Sequence, residues 1–180
     1  MDEKNIHTGS RRETPIKELV GALLVDRGLT VSLAESCTGG QVMKHLSDIP
    51  GSSRYLAGGV VAYCNELKIQ LLGVPRSIID RHGAVSEQTA RSMAEGVKKV
   101  AGTSLGLGIT GIAGPDGGTD EKPVGLVYIA VAGGNKTVCQ RYLFTGRRSE
   151  VRSSATDAAL HMLWQFAQNG VNKKNNCRAD

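Results

Sequence analysis

The chain has 180 residues, 40% of them hydrophobic and 22% charged, a size and balance that suit one domain able to bury its own core without disulfides or metal. Aromatic residues are only 4%, too few for base-stacking surfaces, and two units of the +5 net charge sit in the last ten residues, so nucleic acid is disfavoured as a partner. The first residues are polar, no apolar run reaches bilayer length, and Cys37, Cys64, Cys139 and Cys177 show neither C-x-x-C nor zinc spacing; together these features predict a cytoplasmic protein with reduced thiols, no metal and no membrane contact.

Residues 1–13 are charged and aperiodic and read as a mobile lead-in, residues 171–180 read as a mobile basic tail, and residues 14–170 remain as the domain. Thr14 and Pro15 open a first helix, in which Ile16, Leu19, Val20, Leu23 and Leu24 recur at helical spacing up to Gly28. The run from Thr30 to Glu35 is a strand. It stops at Ser36-Cys37-Thr38-Gly39-Gly40, after which Val42, Met43 and Leu46 continue as a short helix ending before Pro50. A strand-to-helix turn leaves amide N–H groups of Cys37, Thr38 and Gly39 without intrahelical partners, so a nucleophile, an anion cradle and a plain N-cap all remain open for it.

Gly58 to Tyr63 reads as a second buried strand feeding a helix from Asn65 to Leu72, which places Tyr63 at a strand end and Lys68 a turn beyond it. Pro75 to Arg81 forms a further short helix, and Ser86 caps a longer one whose Ala90, Met93, Ala94, Val97, Val100 and Ala101 make an apolar stripe. Ser104 to Thr110 is the third strand. Its Gly106, Gly108 and Gly111 match G-x-G-x-x-G, but two of the glycines lie inside the strand and Gly114-Pro115-Asp116-Gly117-Gly118 beyond it cannot start a helix, so the dinucleotide reading is rejected. Val124 to Ala132 and Thr137 to Phe144 form a hairpin, and a last helix runs from Arg148 to Gln168. Early alternation of strand and helix followed by consecutive strands predicts an α/β fold: a single-domain three-layer α/β/α sandwich with a mixed, partly parallel sheet.

Ligands of open α/β sheets bind beyond the carboxyl ends of the strands. If the first two strands are parallel, Ser36, Tyr63 and Lys68 emerge at one edge, and a Lys whose pKa is lowered by burial can take the proton of a Ser hydroxyl. Tyr63 is then a relay or an orienting group, and the turn amides face the oxyanion. Cys37 stays open as an alternative nucleophile, since a thiolate is stabilised at a helix N-terminus. The scheme needs no cofactor.

Ala34-Glu35-Ser36-Cys37-Thr38-Gly39-Gly40, Tyr63-Cys64-Asn65-Glu66-Leu67-Lys68, His82-Gly83-Ala84-Val85-Ser86 and the run from Thr110 to Gly118 with Lys122-Pro123-Val124-Gly125 resemble the CinA C-terminal domain family, in order and over most of the chain. Characterised members are nicotinamide-nucleotide amidases. The resemblance implies a serine amidohydrolase that converts nicotinamide mononucleotide to nicotinate mononucleotide and ammonia in pyridine-nucleotide salvage. By position it implies Ser36 as nucleophile with Tyr63 and Lys68 as partners, and Cys37, Thr38, Gly39, Gly40, Thr110, Gly111 and Arg148 at the substrate. Arg148 matches the arginine of a family G-D-R segment, which here reads Gly146-Arg147-Arg148. The expected partner is a small anionic nucleotide, a homodimer is left open, and the chain is expected to be a stand-alone amidase or a fragment, since many relatives carry a pyrophosphatase-like domain ahead of this one. The alternative function is a non-catalytic nucleotide-phosphate-binding module related to competence and damage-inducible proteins.

Overall fold

The computed structural model describes residues 14–169, so the expected mobile lead-in and mobile tail lie outside the described residues. In chain order the elements are α1 (Ile16–Asp26), β1 (Val31–Glu35), α2 (Gln41–Ser47), β2 (Leu56–Val61), α3 (Asn65–Leu72), α4 (Arg76–His82), α5 (Glu87–Ala101), β3 (Leu105–Gly111), β4 (Leu126–Gly133), β5 (Lys136–Leu143) and α6 (Arg148–Gln168). The strands form one sheet in the order β2-β1-β3-β4-β5. Strands β2, β1 and β3 are mutually parallel and β4 and β5 are antiparallel additions, which is the mixed sheet of an α/β fold.

Alternation along β1 assigns the two faces. Val31 and Leu33 join Val20 and Leu24 of α1, Val42 and Leu46 of α2, and Val151, Ala155 and Leu163 of α6 in the larger core. Ala34, on the opposite face, packs with Leu72, Val74, Ile79, Met93 and Val97 beneath α3, α4 and α5. Three layers result. Helix α5 lies very close to the sheet, because a Cβ on Gly106 would fall 2.1 Å from the Ala94 carbonyl oxygen and one on Gly108 would fall 2.4 Å from that of Ala90. The strand glycines thus serve helix–sheet contact, not a pyrophosphate.

Two sequence expectations need correction. Strand β2 is not buried: it is the sheet edge, with one ladder only, and Val61 is 47% exposed. It also begins at Leu56, and its register with β1 slips between Val31 and Ser32, where Gly58 takes φ +145° and absorbs the extra residue as a bulge. Pro15, not Thr14, is the N-cap of α1, and its side chain offers no cap. Ser86 caps α5 as expected, its Oγ accepting from the Thr89 N–H at 3.2 Å.

Parallel β1, β2 and β3 bring three junctions to one edge: the turn from Ser36 to Gly40, the segment from Ala62 to Cys64, and the long β3–β4 connection beginning at Ile112.

Candidate active site

The turn after β1 is built around Glu35. By the parity that buries Val31 and Leu33, its side chain also turns inward, and it is only 1% exposed. Its carboxylate accepts from the amides of Gly40 (2.9 Å) and Val42 (3.3 Å) on Oε2 and from Met43 (2.8 Å) on Oε1. The start of α2 is therefore neutralised from within by an acid, the arrangement favoured by its helix dipole. Gly39 donates to the Ser36 carbonyl at 3.1 Å, and Gly39 and Gly40 take φ +63° and +91°, which glycine adopts without steric cost. The expectation of a row of unpartnered amides fails at Gly39, because the turn closes on itself. The Cys37 and Thr38 amides lie beside the Cys37 sulfur and favour its charged form, but burial outweighs them and pushes that thiol up to about 12.

Lys68 is 1% exposed although its side chain ends in an ionisable amine. Helical side chains lean toward the N-terminus, so from the second turn of α3 it reaches back over the strand end. Nζ lies 2.8 Å from the Ala62 carbonyl oxygen, 3.3 Å from that of Tyr63 and 3.4 Å from Ser36 Oγ. None of these partners is a carboxylate. Burial pushes the amine below its ordinary value of 10.5, with Cys64 and Cys37 pulling weakly the other way. Two carbonyls that can only accept and one hydroxyl that can accept or donate suit the three N–H groups of an ammonium and the two N–H groups and lone pair of a neutral amine alike.

Ser36, Cys37, Tyr63, Lys68, Thr110, Gly111 and Arg148 line one open cleft of about 240 Å³, together with Ala84, Val85 and the start of the β3–β4 connection. Ser36 is 8% exposed there. Thr110 Oγ1 donates to the Ala84 carbonyl at 2.7 Å and ties β3 to the segment before α5. Gly111 lets β4 close in at the rim, since a Cβ would fall 2.7 Å from the Leu126 carbonyl oxygen. Thr38, Gly39 and Gly40 do not line the cleft, because their polar backbone atoms turn to Arg152, Ser36 and Glu35.

The Tyr63 side chain is 58% exposed, and its hydroxyl accepts from Arg148 Nη2 at 2.6 Å, while only its backbone carbonyl meets Lys68. Arg148 also donates through Nη1 to the Gly114 carbonyl at 2.8 Å, spanning the cleft mouth from β2–α3 to β3–β4. Two of five guanidinium N–H groups are so used. At the preceding position Arg147 offers no side-chain cap to α6; Glu150 reaches back instead and accepts from the Arg147 N–H at 2.6 Å.

Sequence reasoning passed over two residues, Glu35 and Arg152. Glu35 was legible in principle, as an acid at an inward position of a buried strand. Arg152 stands one helical turn after Arg148, and its guanidinium donates twice to the Thr38 carbonyl, through Nη2 at 2.8 Å and Nε at 3.3 Å.

Fold and site define an α/β protein with a buried Ser–Lys pair at the carboxyl edge of its parallel strands. The sequence model of the CinA C-terminal domain matches residues 13–167, and the chain belongs to that family. A putative competence-damage inducible protein of Desulforudis audaxviator is 58% identical over 154 residues, covering 86% of this chain and 37% of that protein. A CinA-like protein of Syntrophus aciditrophicus is 53% identical over 152 residues, covering 84% of this chain and 36% of that protein. The chain therefore spans little more than a third of the length of these relatives. Among solved structures, the competence/damage inducible protein CihA of Agrobacterium tumefaciens matches with TM-score 0.81 and 38% identity, over 89% of this chain and 99% of that one. A CinA superfamily protein of Klebsiella pneumoniae matches with TM-score 0.82 and 31% identity, over 87% and 100%. Among the described residues no helix is long and apolar enough to cross a membrane, and no group of three or more His, Cys, Asp or Glu could hold a metal ion.

Proposed function

We propose that this chain is a serine amidohydrolase that deamidates nicotinamide mononucleotide. The observation that carries the reading is the buried Lys68, held by two carbonyls and facing Ser36 Oγ, with no carboxylate partner among the described residues. Ser36 Oγ adds to the carboxamide carbon as its proton passes to the neutral Lys68 amine. The Cys37 amide is the donor of the turn that remains for the oxyanion, since Cys37 lines the cleft and Thr38 does not, and one well-aimed donor is worth about 3 kcal/mol. The C–N bond then breaks, ammonia leaves with the proton returned by Lys68, and Ser36 is left as an acyl ester. Water, giving its proton to Lys68, adds to the ester carbon, and the carboxylate leaves as Ser36 regains its proton.

Tyr63 acts through Arg148, which it holds across the cleft mouth with free N–H groups for the substrate phosphate. Cys37 is left out of the chemistry, since a thiol with a pKa pushed up to about 12 is protonated near neutrality. The second reading, a non-catalytic phosphate-binding module, drew on the Cys37, Thr38 and Gly39 amides with Arg148; of these the Gly39 N–H is taken by the Ser36 carbonyl, and the helix start beside them is neutralised by Glu35.

The test is ammonia release from a panel of pyridine nucleotides, without added metal. Nicotinamide mononucleotide is the expected substrate, with activity lowered about 10³-fold or more in Ser36→Ala and largely kept in Cys37→Ala. Binding without turnover across the panel refutes the reaction, and an active Ser36→Ala beside an inactive Cys37→Ala refutes the nucleophile.

A further inference from the structure

Helix α6 presents Arg148, Arg152 and Thr156 at successive turns, and each holds a different part of the site edge. Arg148 donates to Gly114 and Tyr63, Arg152 to the Thr38 carbonyl, and Thr156 Oγ1 pairs with Gln41 Oε1 at 3.4 Å. Arg148 and Gln41 have evident tasks in the cleft wall and the helix start. Arg152 does not line the cleft. Its guanidinium meets a part of the Ser36 turn that Glu35 does not hold.

That part is the peptide unit joining Thr38 to Gly39. Its N–H end donates to the Ser36 carbonyl at 3.1 Å, and its carbonyl end accepts both Arg152 bonds. A peptide next to a glycine rotates easily, because glycine tolerates positive and negative φ alike. Gly39 stands at φ +63°, and the space a side chain would occupy there is taken by Arg152 Nη2, 3.1 Å from an ideal Cβ. Rotation of this peptide swings the Gly39 N–H away from the Ser36 carbonyl and releases the bond that closes the turn on Ser36.

We propose that Arg152 is a positioning residue for the nucleophile turn: by clamping the Thr38 carbonyl from α6 it fixes the Thr38–Gly39 peptide and thereby the placement of Ser36 against Lys68. The inference rests on the serine reading above. A planar two-donor fork suits the task, since both bonds converge on one oxygen and define its direction, which a lysine ammonium does only as a point charge.

The test reads Ser36 itself, independently of the amide substrate. The full chain is treated with a fluorophosphonate, and the second-order rate of Ser36 labelling is measured beside kcat and KM for nicotinamide mononucleotide. Arg152→Ala and Arg152→Gln are expected to lower both labelling rate and kcat by about 10- to 100-fold, the loss a sub-ångström to 1 Å misplacement brings, with KM within about twofold. Arg152→Lys recovers part of the loss, and added guanidinium ion at non-denaturing concentration raises the Ala variant while sodium does not. Matched near-ultraviolet circular dichroism at the assay temperature restricts the comparison to folded variants; Lys and Gln serve if Ala does not fold. An unchanged labelling rate in folded Arg152→Gln overturns the proposal, as does a rise in KM at constant kcat, which makes Arg152 a substrate contact. Labelling with the expected Arg152 dependence but without ammonia release upholds Arg152 and sinks only the choice of substrate. A wild-type chain that Ser36 labelling does not touch overturns the serine reading and this inference with it.

Discussion

Removing the Glu35 carboxylate tests whether the turn from Ser36 to Gly40 is held by an internal acid. Glu35→Ala strips the acceptor from three amides, those of Gly40, Val42 and Met43, and opens a void in a fully packed strand end. A bond to a charged acceptor contributes about 1.5–3 kcal/mol, but here three share one carboxylate and the Gly40 and Met43 amides are only partly buried, so their losses do not sum. A helix cap alone is worth up to about 2 kcal/mol. Together these give a loss of about 3 kcal/mol, or about 6–12 °C in Tm for a chain of this length.

Glu35→Gln sharpens the comparison. Its single carbonyl oxygen can serve the Gly40 and Val42 amides, but its NH₂ then faces the Met43 N–H, donor against donor. About half the loss is expected. Urea unfolding followed by circular dichroism measures both variants, with an unchanged m-value showing that only stability moved. If Glu35→Ala unfolds within about 0.5 kcal/mol of the wild type, the level of an inconsequential surface change, the reasoning about the turn is wrong.

Two further expectations concern Lys68 and the strand glycines. Because burial lowers the Lys68 pKa and the base must be neutral, kcat/KM rises with pH along a limb set below 10.5, and Lys68→Arg, which stays charged, is inactive throughout; a limb at or above the ordinary lysine value contradicts the assignment. The same shift makes the unfolded chain bind the proton more tightly, so between the lowered value and 10.5 stability increases with pH, a slope that Lys68→Met should flatten in denaturant titrations. Gly108→Ala places a Cβ 2.4 Å from the Ala90 carbonyl oxygen and 2.6 Å from the Ala94 nitrogen, and forcing α5 off the sheet costs about 3 kcal/mol or prevents folding. Gly134→Ala, at φ +56° with open space around it, costs only about 1–2 kcal/mol of backbone strain, and equal losses at the two sites would remove the close-packing explanation.

What the sequence made legible follows from which interactions are local. Helical stripes, the Ser86 cap, strand alternation and glycine punctuation are short-range patterns, so element order, the mixed sheet and the shared edge of Ser36, Tyr63 and Lys68 could be read directly. Strand position within the sheet is not local. Gly58 to Val61 looks like a buried strand because its residues are apolar, and only pairing order reveals an edge.

The same division runs through the site. The nearness of Ser36 and Lys68 was legible in residue type and spacing, but the turn was misjudged at Gly39, whose N–H closes onto the Ser36 carbonyl, and nothing local says that Glu35 folds forward onto residues five to eight positions ahead. Nor could the chain before α6 show where Arg148 and Arg152 reach, 85 and 114 residues back. The Glu35 bonds have a chemical consequence for the turn from Ser36 to Gly40. With its helix end neutralised by Glu35 and its Gly39 N–H closed onto the Ser36 carbonyl, the turn cannot act as a strong anion cradle, and the Cys37 amide is the donor left at the cleft. A site arranged in that way is poor at holding a standing charge and suited to a charge that forms transiently next to the hydroxyl, which is the demand of an acyl-transfer intermediate.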